Sequence, residues 1–545
     1  MIRHYSYTLC LLLACLCFER CAQVAPLSGG KRDATPPKLT EAIPANSSLA
    51  FNSSEIVLRF DEYVQLKDLK NQMLVSPRLK TEPEINAEGK KIKIILKKEE
   101  LLPNTTYRIY FGRAIADMTE GNSIPNFEYV FSTGNYIDSL KIKGIVKDAY
   151  TGQAVSDVIV GLYNAKGVQT DSLIYKESPA YITRSTAGGE YSFGHLPSQQ
   201  FKVVAFTDKN KNYTYDGEIE KLGFRDSLLQ LNSDTTVDFK IFQENPSKTF
   251  IKKYTTPYYG ILNVIYNRES FFKVQVLGLV PGGRVTETEQ GREKDTVTFV
   301  YDGLKDSLAV LIAERDSKHV DTVKVSLPKL NAARKKSLSI LPNTYSGILP
   351  YNTSFRLSFL NAPDTLKTNL YKIHLFRKDS AWKEEASTFS YEWPLAVVMA
   401  NPLSEGKNYR IKIDTAAFFD LNGKYNDSMM INFKPESKSE LGKVILKLLL
   451  NKKQAYVVQL LNDKGQIAKQ DFISLSLSSS NAVSIDFTGI APGTYSVKVV
   501  FDDNGNKKWD TGSYLMNKQP EKVFISSKQL KVLPDWEVEE EIQIK

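Results

Sequence analysis

Short runs in which apolar and polar residues alternate recur along residues 36–135. Alternation with a period of two places the apolar side chains on one face of a β-strand. Turn-forming residues separate the runs, and no long stretch has the 3.6-residue period of an amphipathic helix. This pattern predicts an antiparallel β-sandwich with few helices. The alternating runs are EIVLRF (55–60), KIKIIL (91–96), TYRIYF (106–111) and FEYVFST (127–133).

The same pattern continues after this first module. SLKIKGIV (139–146) and EYSF (190–193) alternate in the same way and predict a second β-sandwich over 138–245. SFFKVQVLGL (270–279) predicts a third β-sandwich module, of uncertain type, over 246–337.

Several segments recur later in the chain, in the same order. Recurrence in order predicts an internal duplication of a two-module unit. The second copy would consist of one module over 338–437, of the same type as the module over 36–135, and a further module over 438–545. We therefore expect an all-β protein of tandem antiparallel β-sandwich modules, numbered 1 to 5 here in chain order. The paired segments are LLPNTTYRIYF (101–111) with PLSEGKNYRIKI (402–413), FEYVFST with MMINFKP (429–435), and SLKIKGIV with ELGKVILKLL (440–449).

Residues 1–20 have the features of a bacterial lipoprotein signal peptide. A basic start precedes an apolar run from about Thr8 to Phe18, which is too short to span a bilayer. In a lipoprotein, a cysteine just past such a run carries the lipid. Cys21 suits the length of the run, although Glu19 and Arg20 stand where small residues are expected. Cys15, which follows Leu-Leu-Ala, is the alternative acylated residue, and an ordinary cleaved signal or an uncleaved anchor is the alternative interpretation.

The amino-acid composition argues against several classes of function. All four cysteines lie within residues 10–21, so nothing after Cys21 is able to form a disulfide or serve as a sulfur nucleophile. The formal net charge of +9 is spread over 545 residues without a basic, aromatic-rich cluster, so we expect no nucleic-acid partner. Membrane attachment is expected only through the N-terminal end, because no later apolar stretch approaches the ~20 residues of a spanning helix.

One polar pattern occurs twice, each time after an apolar run. Oxygen-bearing side chains at alternate loop positions are able to converge on a hard cation, so a structural Ca²⁺ ion is a candidate cofactor. The Gly at position 6 and the Glu at position 12 of a Ca²⁺ loop are missing, however. The alternative is an Asp/Asn-rich β-turn closed by its own hydrogen bonds. The candidate ligands are Asp208, Asn210, Asn212 and Asp216 in the first loop and Asp502, Asn504, Asn506 and Asp510 in the second.

FDEYVQLKD (60–68) and NTTYRIYFGRAIADMTEGN (104–122) resemble the Ig-like domain of a Bacteroidota-type lipoprotein family. CAQVAPLSGGKRDATPP (21–37) is similar to the tether that follows the acylated cysteine in that family, with Arg32 as an insertion. The resemblance favours Cys21 as the lipidated residue and residues 21–35 as a flexible tether. It implies an outer-membrane address. The absence of acidic residues between Cys21 and Asp33 favours the periplasmic leaflet over the cell surface.

The module over 138–245 is similar to prealbumin-like and carboxypeptidase-regulatory-like β-sandwiches of secreted bacterial proteins, and the duplication extends this expectation to 438–545. The family carries no established activity.

No catalytic motif stands out. The chain has no P-loop and no G-x-S-x-G elbow, and His195 has no acidic neighbour in sequence. His319 and His374 stand among charged residues, which indicates solvated surface groups. Glu384 and Glu385 are adjacent carboxylates of the kind a glycosidase uses, but such a pair is expected by chance. The aromatic residues of 252–267 predict either a binding strip or rings that face the core.

These observations favour a non-enzymatic, lipid-anchored envelope protein that binds or scaffolds a protein partner at the outer membrane. A glycan- or surface-ligand-binding lipoprotein is the first alternative. A hydrolase within module 3 is the second, and it requires a cleft with converging carboxylates.

Overall fold

The computed structural model describes most of the chain, in separate ranges, and confirms the all-β prediction. Half of the chain is strand and 5% is helix. The α-helices within these ranges are α1 (Leu69–Gln72) and α2 (Leu173–Lys176), of one turn each. Four 3₁₀ turns are Lys98–Glu100, Gly217–Ile219, Leu370–Lys372 and Lys438–Glu440. The described ranges are 33–165, 172–246, 250–267, 272–277, 284–287, 295–302, 307–314, 320–326, 338–392 and 395–544, the last with a gap at 476–480.

Module 1 consists of two facing sheets, with strand orders β1-β2-β6-β5 and β4-β7-β9, and a short β3-β8 pair. Alternation decides which side chains lie between the sheets: Tyr107, Ile109 and Phe111 of β7 are buried, whereas Arg108 and Tyr110 point outward. The strands are β1 (Leu39–Ile43), β2 (Glu55–Phe60), β3 (Val64–Leu66), β4 (Leu74–Ser76), β5 (Glu84–Glu88), β6 (Lys91–Ile95), β7 (Thr106–Gly112), β8 (Ile115–Asp117) and β9 (Phe127–Ser132).

Module 2 is a nine-stranded arrangement with the order β12-β11-β14-β15-β18-β10-β13. β16 pairs with β14, and β17 pairs with β10. The strands are β10 (Leu140–Asp148), β11 (Ile159–Asn164), β12 (Tyr181–Arg184), β13 (Glu190–Leu196), β14 (Gln200–Phe206), β15 (Lys221–Phe224), β16 (Leu229–Gln230), β17 (Thr235–Thr236) and β18 (Phe239–Gln243).

The described part of module 3 contains two sheets, β19-β20-β23-β22 and β21-β24-β25. Its strands are β19 (Ile251–Thr255), β20 (Ile261–Tyr266), β21 (Phe272–Leu277), β22 (Arg284–Glu287), β23 (Thr296–Asp302), β24 (Ser307–Glu314) and β25 (Val320–Ser326).

Module 4 repeats the plan of module 1, with sheets β26-β28-β32-β31 and β27-β34-β33-β29-β30. The strands are β26 (Ile340–Pro342), β27 (Ile348–Leu349), β28 (Arg356–Phe359), β29 (Ile373–Lys378), β30 (Trp382–Glu385), β31 (Phe389–Glu392), β32 (Ala396–Met399), β33 (Asn408–Ile413) and β34 (Met429–Pro435).

Module 5 has sheets β38-β35-β42 and β37-β36-β39-β40, and β41 pairs with β39. The strands are β35 (Gly442–Leu450), β36 (Ala455–Leu461), β37 (Ile467–Ser474), β38 (Ala482–Ile490), β39 (Gly493–Asp502), β40 (Val523–Ile525), β41 (Leu530–Val532) and β42 (Glu537–Ile544).

Modules 2 and 5 share one connectivity. β10 lies antiparallel to β13 and parallel to β18, and β35 lies antiparallel to β38 and parallel to β42. β14 pairs with β11, β15 and β16 in the same way that β39 pairs with β36, β40 and β41. This repeated connectivity is the structural counterpart of the predicted duplication.

Each of modules 1, 2, 4 and 5 has its own hydrophobic core between its sheets. Two further clusters of described residues cross module boundaries. Tyr514 of module 5 is buried among Phe224 and Phe242 of module 2. Ile261 of module 3 is buried with Ala362 of module 4. None of the helices within the described ranges is long and apolar enough to cross a membrane.

Candidate functional site

The two Asp/Asn loops occupy equivalent places in modules 2 and 5. The first follows β14 and leads into β15, and the second follows β39 and leads into β40. Each loop therefore joins two adjacent strands of one sheet, at the same end of its module. Strand pairing on both sides fixes the loop ends, so the polar side chains between them are held close together.

The first Asp of each loop accepts hydrogen bonds from two backbone N–H groups. Asp208 accepts from Asn212 N and Tyr213 N, both at 3.1 Å. Asp502 accepts from Asn506 N at 3.1 Å and from Lys507 N at 2.8 Å. Tyr213 and Lys507 both have positive φ, 62° and 66°. The two turns are therefore the same structure, closed by an Asp side chain on its own backbone.

The two Asn side chains of each loop converge on the loop's second Asp. Asn210 and Asn212 donate through Nδ2 to Asp216 Oδ2, at 2.5 and 3.1 Å. Asn504 and Asn506 donate to Asp510 in the same arrangement, the latter at 3.0 Å. All four predicted side chains of each loop are thus brought together.

A buried glutamate that sequence reasoning missed closes each loop. Glu220 accepts from Lys209 N and Asp216 N at 2.8 and 2.9 Å, and it is 1% exposed. Glu521, 4% exposed, accepts from Asp503 N and Asp510 N, both at 2.8 Å. Burial raises the pKa of both carboxyl groups, and the loop aspartates add to the shift. The shared Glu-Lys pair before β15 and before β40 was the available sequence signal.

These contacts define how a Ca²⁺ ion would fit. Within the described ranges no group of three or more His, Cys, Asp or Glu side chains is placed to hold a metal ion. The loop oxygens already accept hydrogen bonds within the loop, which is the arrangement expected of an Asp/Asn turn. A cation would have to replace the contacts of Asn210 and Asn212 with Asp216, after rotation of the two carboxamides to present oxygen. Ca²⁺ binding therefore stays a prediction.

Each loop also contacts a neighbouring module. In the first loop, Lys211 Nζ donates to Asn71 of module 1 at 2.5 Å. The guanidinium of Arg78, also in module 1, lies 4.4 Å from the centre of the Tyr213 ring. The first loop therefore holds module 2 against module 1.

The second loop is longer and contacts module 2. Thr511 Oγ1 donates to Gln243 O at 2.6 Å, and Tyr514 N donates to Glu244 Oε1 at 2.7 Å. The Tyr514 ring is 5% exposed and lies edge-on to Phe224, with ring centres 5.2 Å apart. We call residues 509–519 the clasp, because they hold module 5 against module 2.

A buried lysine lies at the same boundary. Lys498 of β39 is 4% exposed, and its Nζ lies 3.5 Å from the centre of the Tyr150 ring. The Tyr150 ring also contacts Trp509, and the two ring centres are 5.1 Å apart. Burial lowers the pKa of Lys498 to about 8, and the charge of Asp148 opposes the shift. Burial removes the Lys498 ammonium from water, and its contact with the face of the Tyr150 ring offsets part of that cost.

The remaining candidates are dispersed. His374 is partly exposed and lies between two surface carboxylates, Glu384 at 2.8 Å and Asp414 at 3.3 Å. Glu384 and Glu385 lie on β30, in module 4 rather than module 3, and Glu385 pairs separately with Arg377 at 2.9 Å. Adjacent strand residues face opposite sides, so the two carboxylates do not converge.

The aromatic residues of 252–267 do not form a single platform. Tyr254 and Tyr258 are partly exposed, at 38% and 39%, whereas Tyr266 is buried at 1%. The prediction of rings that face the core therefore holds for Tyr266 and not for the other two.

Tertiary structure gives His195 an acidic neighbour that sequence did not predict. Its Nε2 lies 3.8 Å from Glu128 of module 1, and Glu128 also pairs with Arg108. His195 and Arg108 together lower the pKa of Glu128 to about 2. Cys21, Cys15 and His319 lie outside the described residues.

Two family models match parts of the chain. Residues 33–133 match the family model of a bacterial Ig-like domain. Residues 435–534 match the model of an uncharacterized protein family conserved in bacteria. No curated protein matches the chain in sequence.

Solved structures resemble the chain only weakly. The N-terminal part of the bacterial S-layer protein SbsC is 13% identical, with a TM-score of 0.19 over 37% of this chain and 44% of that one. The major pilin subunit BcpA of Bacillus cereus is 10% identical, with a TM-score of 0.14 over 74% and 99% of the two chains. The chain thus spans less than half of the S-layer fragment, and scores this low say nothing about arrangement or function. The protein is accordingly a tandem array of β-sandwich modules with a bacterial Ig-like domain at residues 33–133.

Proposed function

We propose that this protein is a non-enzymatic, lipid-anchored envelope protein that holds a protein partner at the outer membrane. The observation that carries the proposal is the contact between modules: the first loop joins module 2 to module 1, and the clasp joins module 5 to module 2. Modules that are fixed to one another present their surfaces in a constant relation, as a scaffold requires. Flexible linkers would not do so.

The anchor is proposed from the N-terminal sequence. Metabolic labelling with an alkyne-bearing palmitate analogue tests it directly. We expect the label on the wild type and on Cys15→Ala, and no label on Cys21→Ala. Label retained by Cys21→Ala and lost by Cys15→Ala would move the anchor to Cys15. Absence of label from the wild type would overturn the anchor altogether.

The leaflet is tested on whole cells. An externally added protease should leave a periplasm-facing protein intact and should cleave it once the outer membrane is permeabilised. Cleavage in intact cells would place the protein on the surface instead. A known surface protein and a known periplasmic protein serve as the two controls.

The partner is tested by affinity purification of the tagged protein from gently solubilised membranes, followed by mass spectrometry. A stoichiometric outer-membrane protein that is absent from the Cys21→Ala sample supports the scaffold. Repeated isolation of the protein alone, with and without crosslinking, would remove the basis of the scaffold proposal.

A glycan-binding role is the second candidate, and one observation favours it. A cleft lies between modules 1 and 2, with cationic side chains on both of its sides. The ligand class of this cleft is argued below, independently of the anchor and of the protein partner.

A further inference from the structure

Two adjoining cavities lie between modules 1 and 2. One has a volume of about 990 Å³ and the other about 700 Å³. One side of the cleft is formed by the outward faces of β7 and β9, and the other by the outward faces of β10 and β13. The larger volume lies at the upper end of the range of small-ligand pockets, which is about 300–1,000 Å³. Residues that line both cavities are Arg108, Glu128, Lys143, Ser192 and Thr236.

Contacts between the modules fix the two sides of the cleft. Beside the larger cavity, Arg78 N donates to Ala180 O at 2.7 Å. Beside the smaller one, Asp138 N donates to Thr106 Oγ1 at 2.9 Å, and His195 Nε2 lies 3.8 Å from Glu128 Oε1. The cleft is therefore preorganised, so a ligand would not have to bear the cost of ordering its walls.

The carboxylates that line the cleft already have partners. Glu128 is paired with Arg108. Asp238 accepts from Ile145 N at 2.9 Å, and Asp234 accepts from Lys141 N at 2.9 Å. Glu190 accepts from the hydroxyl of Thr186 at 2.5 Å. Each of these carboxylates therefore has part of its hydrogen-bonding capacity occupied within the protein.

The cations are differently placed. Arg113 lines the cleft from module 1, and Lys141 and Lys143 line it from module 2. All three side chains are exposed, and in the described part of the chain no carboxylate lies within 4.0 Å of their charged groups. Ser192 and Thr236 add hydroxyl groups to the lining of both cavities. The groups free to bind a ligand are thus chiefly cations and hydroxyls.

We propose that this cleft binds an oligosaccharide that carries carboxylate groups, such as a uronic-acid oligomer. The three cations supply charge-assisted donors for the carboxylates, and the hydroxyl side chains match the hydroxyls of the sugar. The lining also contains apolar side chains, among them Leu74, Tyr110 and Ile145, on which the carbon face of a sugar ring is able to pack. The site goes beyond the scaffold role and does not depend on it.

Isothermal titration of the purified full-length protein with a galacturonic acid trimer tests the site. The matched neutral ligand is the methyl-esterified trimer. We expect the acid trimer to bind more tightly than its ester and to weaken as salt is added, because the recognition is charge-assisted. Arg113→Ala combined with Lys143→Ala should weaken binding by at least tenfold, the loss expected for removal of a hydrogen bond to a charged group.

The matched control removes one exposed cation from each of the same modules away from the cleft, as Lys98→Ala combined with Lys176→Ala. This variant should bind as the wild type does. Ser192→Trp, which fills the cleft without altering its charge, should also abolish binding. Absence of binding at millimolar acid trimer, equal affinity for acid and ester, or equal losses in the two double variants would each overturn the proposal. Capture of a protein partner is scored separately, so failure here leaves the scaffold test intact.

Discussion

At the scale of single residues, two buried carboxylates do the most to order the duplicated loops. Glu220 and Glu521 each accept two backbone N–H groups that lie at opposite ends of their loop. A buried N–H group without an acceptor costs about 1–3 kcal/mol. Each glutamate therefore connects two separate positions of its loop, whereas the hydrogen bonds of the loop's four predicted Asp and Asn side chains join residues close together in sequence.

Glu521→Ala should destabilise module 5 by about 2 kcal/mol, because it leaves two backbone donors without an acceptor. Burial raises the pKa of Glu521 in the folded protein. Its contribution to stability is fully present below the unfolded pKa and is lost as pH rises through the folded pKa. The loss on substitution should accordingly be larger at pH 4 than at pH 8. Denaturant midpoints at both pH values measure it, and Asp463→Ala, on the surface of the same module, is the control. Equal losses at the two pH values would contradict the linkage.

Lys498 gives a second prediction at this scale, with the opposite dependence on pH. Its folded pKa, about 8, lies below the ordinary value of 10.5. Between these values the unfolded chain binds more protons, so the contribution of Lys498 to stability rises with pH. Relative to Lys498→Met, the wild type should gain about 2 kcal/mol between pH 7 and pH 10. Thermal unfolding across this range measures the gain. Lys531→Met, an exposed lysine of β41, should show no such trend, and a flat difference for Lys498→Met would refute the assignment.

At the scale of elements, the clasp is a loop with a second role. The glutamate that closes it lies 19 positions after the first Asp, as against 12 in module 2, and the extra residues include Tyr514. Tyr514 is buried, whereas the next two residues, Leu515 and Met516, are 65% and 80% exposed. The insertion thus places the Tyr514 ring against module 2 and leaves Leu515 and Met516 in solvent.

Tyr514→Ala should weaken the contact of module 5 with module 2 by about 3 kcal/mol, the usual cost of truncating a buried aromatic ring. We expect small-angle X-ray scattering to show a larger maximum dimension, and limited proteolysis to cut faster between modules 4 and 5. Met516→Ala, two residues away and exposed, is the matched control. An unchanged scattering profile for Tyr514→Ala would mean that other contacts alone hold the boundary.

The loops also carry the Ca²⁺ prediction. A structural ion predicts that millimolar Ca²⁺ raises the thermal midpoint of the wild type and that a chelator lowers it again. Asp216→Asn combined with Asp510→Asn should abolish this response. Mg²⁺, with its stricter octahedral geometry, should have a smaller effect. No response to Ca²⁺ in the wild type would leave the loops as turns closed by their own hydrogen bonds.

At the scale of the whole molecule, two modules that are distant in sequence are in contact. Module 5 lies against module 2, although modules 3 and 4 separate them in sequence. Gln519 Nε2 donates to Phe224 O at 3.0 Å, and Tyr150 Oη lies 3.4 Å from Gln459 Oε1. The arrangement is therefore closed rather than extended, which distinguishes it from a simple string of domains.

A cysteine pair tests this arrangement directly. All four natural cysteines lie at positions 10–21 and are replaced by serine for the experiment. Thr511→Cys with Gln243→Cys should then crosslink rapidly within one chain under mild oxidation or with a short bifunctional maleimide. Thr511→Cys with Lys98→Cys, which places the second thiol on module 1, should not. Crosslinking between chains, or equal yields for the two pairs, would contradict the closed arrangement.

The pattern of the sequence was sufficient for much of the fold. Alternation identified four of the nine strands of module 1, β2, β6, β7 and β9, and recurrence of segments such as TYRIYF and NYRIKI predicted the repeated sheet plan. Such signals are local, because each strand exposes one face and buries the other whatever its neighbours are. The duplicated loops were found in the same way, and their Asp and Asn residues were correctly grouped. The acylated cysteine stays a prediction.

What the sequence by itself determined, then, is the all-β class, the repeated order of modules and the position of the two polar loops. Tertiary structure decided which groups meet across long separations: Glu220 and Glu521 with their loops, His195 with Glu128, and Tyr514 with Phe224. Local periodicity carries no information about such long-range contacts, because they depend on how separate strands, loops and modules pack. The cleft between modules 1 and 2 exists only through that packing. The same physical reason explains why the sequence predicted the modules and did not predict the site between them.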